Sequence, residues 1–204
     1  DHPPQWGLPT NELTLTLLAS VVWGLFNAGY IVFLSFGASV LIDGGYRTTG
    51  AATIISLASW VMLFSGALCG QISDRFRKPD TILYCCLASG IASLLLLPWV
   101  QFAVGLSLLF GLIGMAPAGI IMALTTQAMA PRRRAFGIGV FFSGYYLVAT
   151  PTPWLAGWLF DTTGFAYWPI VFAAVLFLFT GIANAVFRYA QGRLPKPTNS
   201  SLVT

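Results

Sequence analysis

Apolar residues occupy this chain in long blocks broken by short charged clusters. Charge-free stretches cover 13–42, 48–73, 81–131, 135–160 and 162–187, and a helix needs about 20 apolar residues to cross about 30 Å of hydrocarbon. Four of the stretches hold one such helix each. The stretch 81–131 is about twice as long and carries the turn signal Pro98-Trp99-Val100-Gln101 near its middle, so it divides in two. The pattern predicts six spans at about 13–37, 50–72, 81–99, 103–127, 137–158 and 166–187. Runs such as Leu106-Ser107-Leu108-Leu109-Phe110 lack the every-second-residue alternation of an outer-membrane strand. The fold class is therefore an all-α membrane bundle.

Composition removes the alternatives. Of 204 residues, ten are Lys or Arg and six are Asp or Glu, 8% in all, against about 25% in a soluble domain. Disorder is excluded as well, because 57% of the chain is hydrophobic and it holds 16 Phe, 7 Trp and 7 Tyr. The net charge of +4 follows from topology and calls for no nucleic acid. With six spans both termini share a side, and that side holds Arg75, Arg77, Lys78, Arg132, Arg133, Arg134, Arg188, Arg193 and Lys196. The other side holds Arg47 alone. Basic residues collect in cytoplasmic loops, so both termini are expected in the cytoplasm, with a bacterial inner membrane as the expected location.

Three domains are expected. Residues 1–11, polar and rich in Pro, read as a linker or central cytoplasmic loop without the basic start and apolar run of a signal peptide. Residues 12–189 form the transmembrane bundle, and 190–204 a flexible cytoplasmic tail. The start without Met suits part of a longer protein; the alternative is a chain that pairs with a second copy of itself.

Reactive chemistry is sparse. The single histidine, His2, sits in the linker, and Cys69, Cys85 and Cys86 have no His or acidic residue at ligand spacing. No enzyme activity, metal or cofactor is expected. No charged residue lies at mid-depth in a predicted span, so the usual mark of a proton relay is missing.

The most informative segment is Gly70-Gln71-Ile72-Ser73-Asp74-Arg75-Phe76-Arg77-Lys78-Pro79-Asp80, which closes the second predicted span. Gly70 removes a side chain where another helix can approach, and Asp74 follows one turn later. A carboxylate at the membrane surface complements the positive N-terminal end of a neighbouring helix, by about 0.3–1 kcal/mol when exposed. The fifth predicted span begins just after Arg132-Arg133-Arg134 on the same side and offers such an end.

This segment resembles the loop signature Gly-x-x-x-Asp-Arg-x-Gly-Arg-Lys of the major facilitator superfamily. Gly70, Asp74 and Arg75 match in place, and Arg77-Lys78 match if the intervening Gly is deleted. The resemblance implies one half of a carrier made of two six-helix bundles. The fourth predicted span lacks the Arg often found in the first half of that family, which points to the C-terminal half, partnered by an N-terminal six-helix half of the same transporter. Each half of such a fold is two three-helix units related by inversion. Gly157-Trp158-Leu159-Phe160-Asp161 closes the fifth predicted span with the spacing of Gly70 and Asp74, on the opposite side.

Candidate contacts and a cavity follow. Small residues favour close helix approach in lipid, and Gly66, Gly70, Gly111, Gly114, Ala118, Gly139 and Gly144 are expected to pack, while Pro117, Pro151 and Pro153 interrupt spans. Trp23, Asn27 and Tyr30 fall at i, i+4 and i+7 and share one face of the first predicted span. An amide facing lipid is costly, so Asn27 faces a neighbouring helix or a cavity. The resemblance places the first and fourth helices of each half along a central cavity. There Trp23, Asn27 and Tyr30, with Tyr145 and Tyr146, are expected to bind a small solute. The gating set is Gly70, Asp74, Arg75, Arg77, Lys78, Arg132, Arg133 and Arg134, latched at the start of the fifth predicted span, with Thr125, Thr126 and Gln127 nearby. The resulting expectation is transport by alternating access within a lipid bilayer. The alternative is a non-transporting six-helix receptor or assembly scaffold.

Overall fold

The computed structural model describes residues 7–98 and 102–195. Most of the linker, the turn at 99–101, the tail from 196 and the side chain of Asp74 lie outside the described residues. Every regular element among those described is helical. They are α1 (Thr10–Asp43), α2 (Thr48–Phe76), α3 (Pro79–Leu96), α4 (Ala103–Leu109), α5 (Ala118–Ala128), α6 (Arg134–Ala149), α7 (Pro151–Thr163) and α8 (Tyr167–Arg193).

Five helical segments are long and apolar enough to cross a membrane: α1, α2, α3, the 103–128 segment that holds α4 and α5, and α8. At 34 residues and about 1.5 Å per residue, α1 extends well past the hydrocarbon layer. Gly44 and Gly45 end it, with Gly45 at φ 95° where only glycine is comfortable. Pro79 opens α3 at the first turn, where its missing N–H costs nothing.

Two predicted spans are interrupted. The span expected at 103–127 contains a π turn, Phe110–Gly114, in which the Met115 N–H reaches back to the Phe110 carbonyl at 3.0 Å. Pro117 follows, has no N–H to donate and disfavours helical torsions in the residue before it. The helix restarts at Ala118. The span expected at 137–158 appears as α6 and α7, separated at Thr150, because Pro151 and Pro153 cannot continue the hydrogen-bond ladder. Thr150 itself keeps helical torsions, φ −60° and ψ −42°, so the chain direction is carried across the break. The last helix runs to Arg193, beyond both the predicted limit of 187 and the start of the predicted tail.

α1 is the hub of the bundle, packed against α8, α6, α5, α2 and α7. Four buried rings tie it to the π turn and α8: Phe33 and Phe110 lie 4.3 Å apart, Phe110 and Phe177 5.4 Å, and Phe26 and Phe177 5.3 Å. Gly111 allows the π turn to rest on the Ala58 carbonyl of α2, where a Cβ would collide with backbone. Gly114 meets Gly90 of α3 and Gly144 meets Ser20 of α1, as expected of packing glycines. Gly66, Gly70 and Gly139 differ from expectation: nothing among the described residues approaches the place of their missing side chains.

Among the described residues, both ion pairs and most side-chain hydrogen bonds between distant segments lie at one end of the bundle. Glu12 pairs with Arg133 at 2.8 Å, Asp80 with Arg188 at 2.9 Å, and the Asn11 side-chain amide donates to the Pro195 carbonyl at 3.0 Å. This end therefore unites the start of α1, the α2–α3 turn, the α5–α6 turn and the end of α8. It holds the basic cluster foreseen from the loops, while Arg47 lies at the other end, between α1 and α2.

Candidate functional site

The polar face of α1 begins at the basic end and continues inward. Glu12, Thr16 and Ser20 are buried, and with Trp23, Asn27 and Tyr30 they follow spacings of four, four, three, four and three residues. At about 100° per residue these six positions fall within about 80° of the helix circumference. Trp23, Asn27 and Tyr30 are each half-buried. The Asn27 amide donates to the Trp23 carbonyl at 2.9 Å, so one of its hydrogens is satisfied within its own helix. The Trp23 ring stacks on Phe26 at 6.2 Å.

α6 lies against this part of α1. Gly24 faces Val148 and the Tyr145 carbonyl, so the α6 backbone reaches the turn of α1 that carries Trp23 and Asn27. Tyr145 and Tyr146 are 4.7 Å apart between ring centroids, with Tyr145 half-buried and Tyr146 exposed. The hydroxyls of Thr125, Thr126 and Ser143 all donate to carbonyls of their own helices.

At the basic end the start of α6 meets Glu12; Asp74, expected there from the sequence, has its side chain outside the described residues. Glu12 Oε1 accepts from Arg133 Nη1 at 2.8 Å and Oε2 from the Ala130 N–H at 3.3 Å. Glu12 is 1% exposed, so its side of the pair is shielded from screening solvent. α2, which carries Asp74, packs chiefly against α1, α4, the π turn and α5. Sequence reading missed Glu12 because it sits at the edge of a span. Its four-residue spacing to Thr16 and Ser20 was the available signal.

A second cluster joins α3, α5 and α8. Asp80 Oδ1 accepts from Arg188 Nε at 2.9 Å and from Asn184 Nδ2 at 3.4 Å. Arg188 Nη1 donates to Gln127 at 2.7 Å and to Gln191 at 3.0 Å. Asn184, fully buried, also donates to the Tyr84 hydroxyl at 3.3 Å. Cys69 of α2 and Cys86 of α3, separated in sequence, line one apolar cleft. No group of three or more His, Cys, Asp or Glu suited to a metal ion occurs among the described residues.

The α2–α3 turn also revises the register of the loop signature. Arg77 has φ 51°, the left-handed region, and caps α2. Counted without a gap from Gly70, Arg77 falls on the second Gly of the signature and Lys78 on its Arg. A substitution in the glycine slot thus accounts for the loop better than a deletion.

The sequence profile of the Major Facilitator Superfamily matches residues 13–202. Among curated proteins, Monocarboxylate transporter 12 of Xenopus laevis is 26% identical over 194 residues, covering 82% of this chain and 41% of the relative. The chain spans about two fifths of the length of that relative.

Proposed function

Because the chain belongs to the major facilitator superfamily, we propose that it carries a small solute across a membrane by alternating access, as one six-span bundle of a two-bundle carrier. The family match over 13–202 carries this reading. Counting α6 and α7 as one span continued through Thr150 completes six spans, arranged as two inverted units of three. Residues 1–11 then form the central loop, 12–189 the bundle and 190–204 the cytoplasmic tail. The basic end faces the cytoplasm, most simply that of a bacterial inner membrane, and the partner is the N-terminal bundle of the same transporter. Exposed aromatic and aliphatic side chains on α2 (Trp60, Leu63, Phe64) and on α6 and α7 (Leu147, Trp154) suit lipid or that second bundle.

In this mechanism Trp23, Asn27 and Tyr30, with Tyr145 or Tyr146, bind the solute through an amide, ring surfaces and phenol groups. The Gly70/Asp74/Arg75/Arg77/Lys78 turn and the Arg132–Arg134 segment, with Glu12 held on Arg133, keep the cytoplasmic side shut in the outward-facing state. Solute drives the exchange only as far as it binds one state better than the other. The site offers no fixed charge of its own, which favours a small organic compound. Small monocarboxylates join the solutes to try first because of the relative's name.

Uptake into proteoliposomes of the full-length protein tests the reading. The expected result is saturable uptake of at least one small carboxylate or uncharged organic solute, reduced about tenfold or more by Asn27→Ala at unchanged protein abundance. A loss of about 1.4 kcal/mol of binding corresponds to that factor. Normal kinetics in Asn27→Ala remove this face from the site. Absence of saturable flux across a broad panel favours the receptor or scaffold alternative.

A further inference from the structure

At the basic end a cleft of about 320 Å³ opens between the α2–α3 turn, α5 and α8. Gly70, Ser73, Arg77, Gln127 and Arg188 are among its lining residues. We propose that it binds a phosphate group, presented in the membrane by an anionic phospholipid.

Three observations converge on that ligand. Arg188 is held in place by Asp80, Gln127 and Gln191 through Nε and Nη1, and its Nη2 has no hydrogen-bond partner among the described residues. Arg77 also lines the cleft, is exposed, and its side chain makes no hydrogen bond or ion pair among the described residues. It occupies a left-handed backbone slot that costs a side-chain-bearing residue about 1–2 kcal/mol, a cost that glycine would avoid. The floor is open, since nothing approaches the missing side chains of Gly70 or Gly119.

The charges favour an anion. In sequence, Arg75, Arg77, Lys78 and Arg188 stand against Asp74 and Asp80, four positive charges to two, so the balance is positive. The N-terminal end of α3 at Pro79 adds partial positive charge. Basic pockets between helices at the cytoplasmic surface are suited to lipid headgroups. The competing explanation is that Arg77 and Arg188 only balance the negative C-terminal ends of α2 and α8.

The proposal rests on the membrane placement and not on transport, so lipid retention can be read in a protein that carries nothing. Native mass spectrometry of the full-length protein, purified with phosphatidylglycerol, should show retained lipid. Arg77→Gln should reduce retention about fivefold, the effect of one cation near a membrane surface. Arg193→Gln, whose arginine stacks on Tyr189 at 4.5 Å and does not line the cleft, should leave it unchanged. Arg188→Gln should act like Arg77→Gln, but Arg188 ties three helices together, so Arg77→Gln is the deciding variant. Displacement of the lipid by millimolar inorganic phosphate would show the headgroup phosphate to be what is recognised. Retention without displacement would show that the lipid form is required. Equal retention by wild type and Arg77→Gln, or no retained phosphate compound, would overturn the proposal and leave the arginines as partners of helix ends.

Discussion

The ends of α2 and α7 share one plan and differ in the residue that fills its left-handed slot. In each, Gly-x-x-x-Asp runs to a left-handed residue three positions after the Asp: Arg77 at φ 51° after Asp74, and Gly164 at φ 72° after Asp161. Both residues return their N–H to the carbonyl four positions back, Arg77 to Ser73 at 2.9 Å and Gly164 to Phe160 at 2.8 Å. The shared spacing and cap are what two inverted units would produce. At the α7 end glycine fills the left-handed slot without strain. At the α2 end an arginine fills it and stands on the rim of a cleft. Strained backbone tends to persist where the surroundings hold it for a purpose, and the difference separates a helix end that only turns the chain from one that also presents a charge. The basic end is braced further, for among the described residues both ion pairs lie there.

Removing that bracing should have the largest effect. Glu12→Ala leaves Arg133 without this carboxylate and the Ala130 N–H without its acceptor, and should cost about 2–3 kcal/mol, the scale of hydrogen bonds to a charged group. Thermal unfolding in detergent reads it, and an unchanged midpoint would mean that the pair braces nothing. Making the α7 end like the α2 end comes next. Gly164→Arg should cost about 1–2 kcal/mol in the same assay, and a neutral result would deny that the slot favours glycine. The reverse exchange, Arg77→Gly, should raise stability by about 0.5–1 kcal/mol, less than the strain relieved because glycine is freer in the unfolded chain. A loss instead would show that Arg77 makes a stabilising contact. The smallest effects belong to the glycines that begin both motifs. Gly70→Ala and Gly157→Ala meet open space inside helices and should each raise stability by about 0.5 kcal/mol; a large loss at either would reveal a partner surface seated against it.

Charge-free blocks made the long helices and the gathering of basic loops at one end legible before any coordinates, because a bilayer forces apolar length and charge segregation onto sequence. Finer features were hidden for physical reasons. Pro117 and Pro151 were visible as breaks in waiting, but the π turn at Phe110–Gly114 and the helical torsions kept by Thr150 depend on how neighbouring backbones satisfy the freed groups. α1 carries one polar stripe on an otherwise apolar surface, and the stripe does not tell which neighbour it faces. That is why the Glu12–Arg133 pair and the approach of the Tyr145 backbone to Gly24 appear only with the helix rotations. Gly66 and Gly70 teach the opposite lesson, that small residues at helical spacing leave space as readily as they admit a neighbour.

A six-span bundle requires α6 and α7 together to cross the bilayer, so that the two related helix ends lie on opposite sides. Single cysteines introduced as Arg132→Cys and Asp161→Cys in a protein otherwise lacking Cys test it, with a membrane-impermeant maleimide applied from one side at a time. Cysteine at 132 should label only from the cytoplasmic side and cysteine at 161 only from outside. Labelling of both from the same side would contradict the six-span bundle and, with it, the carrier architecture.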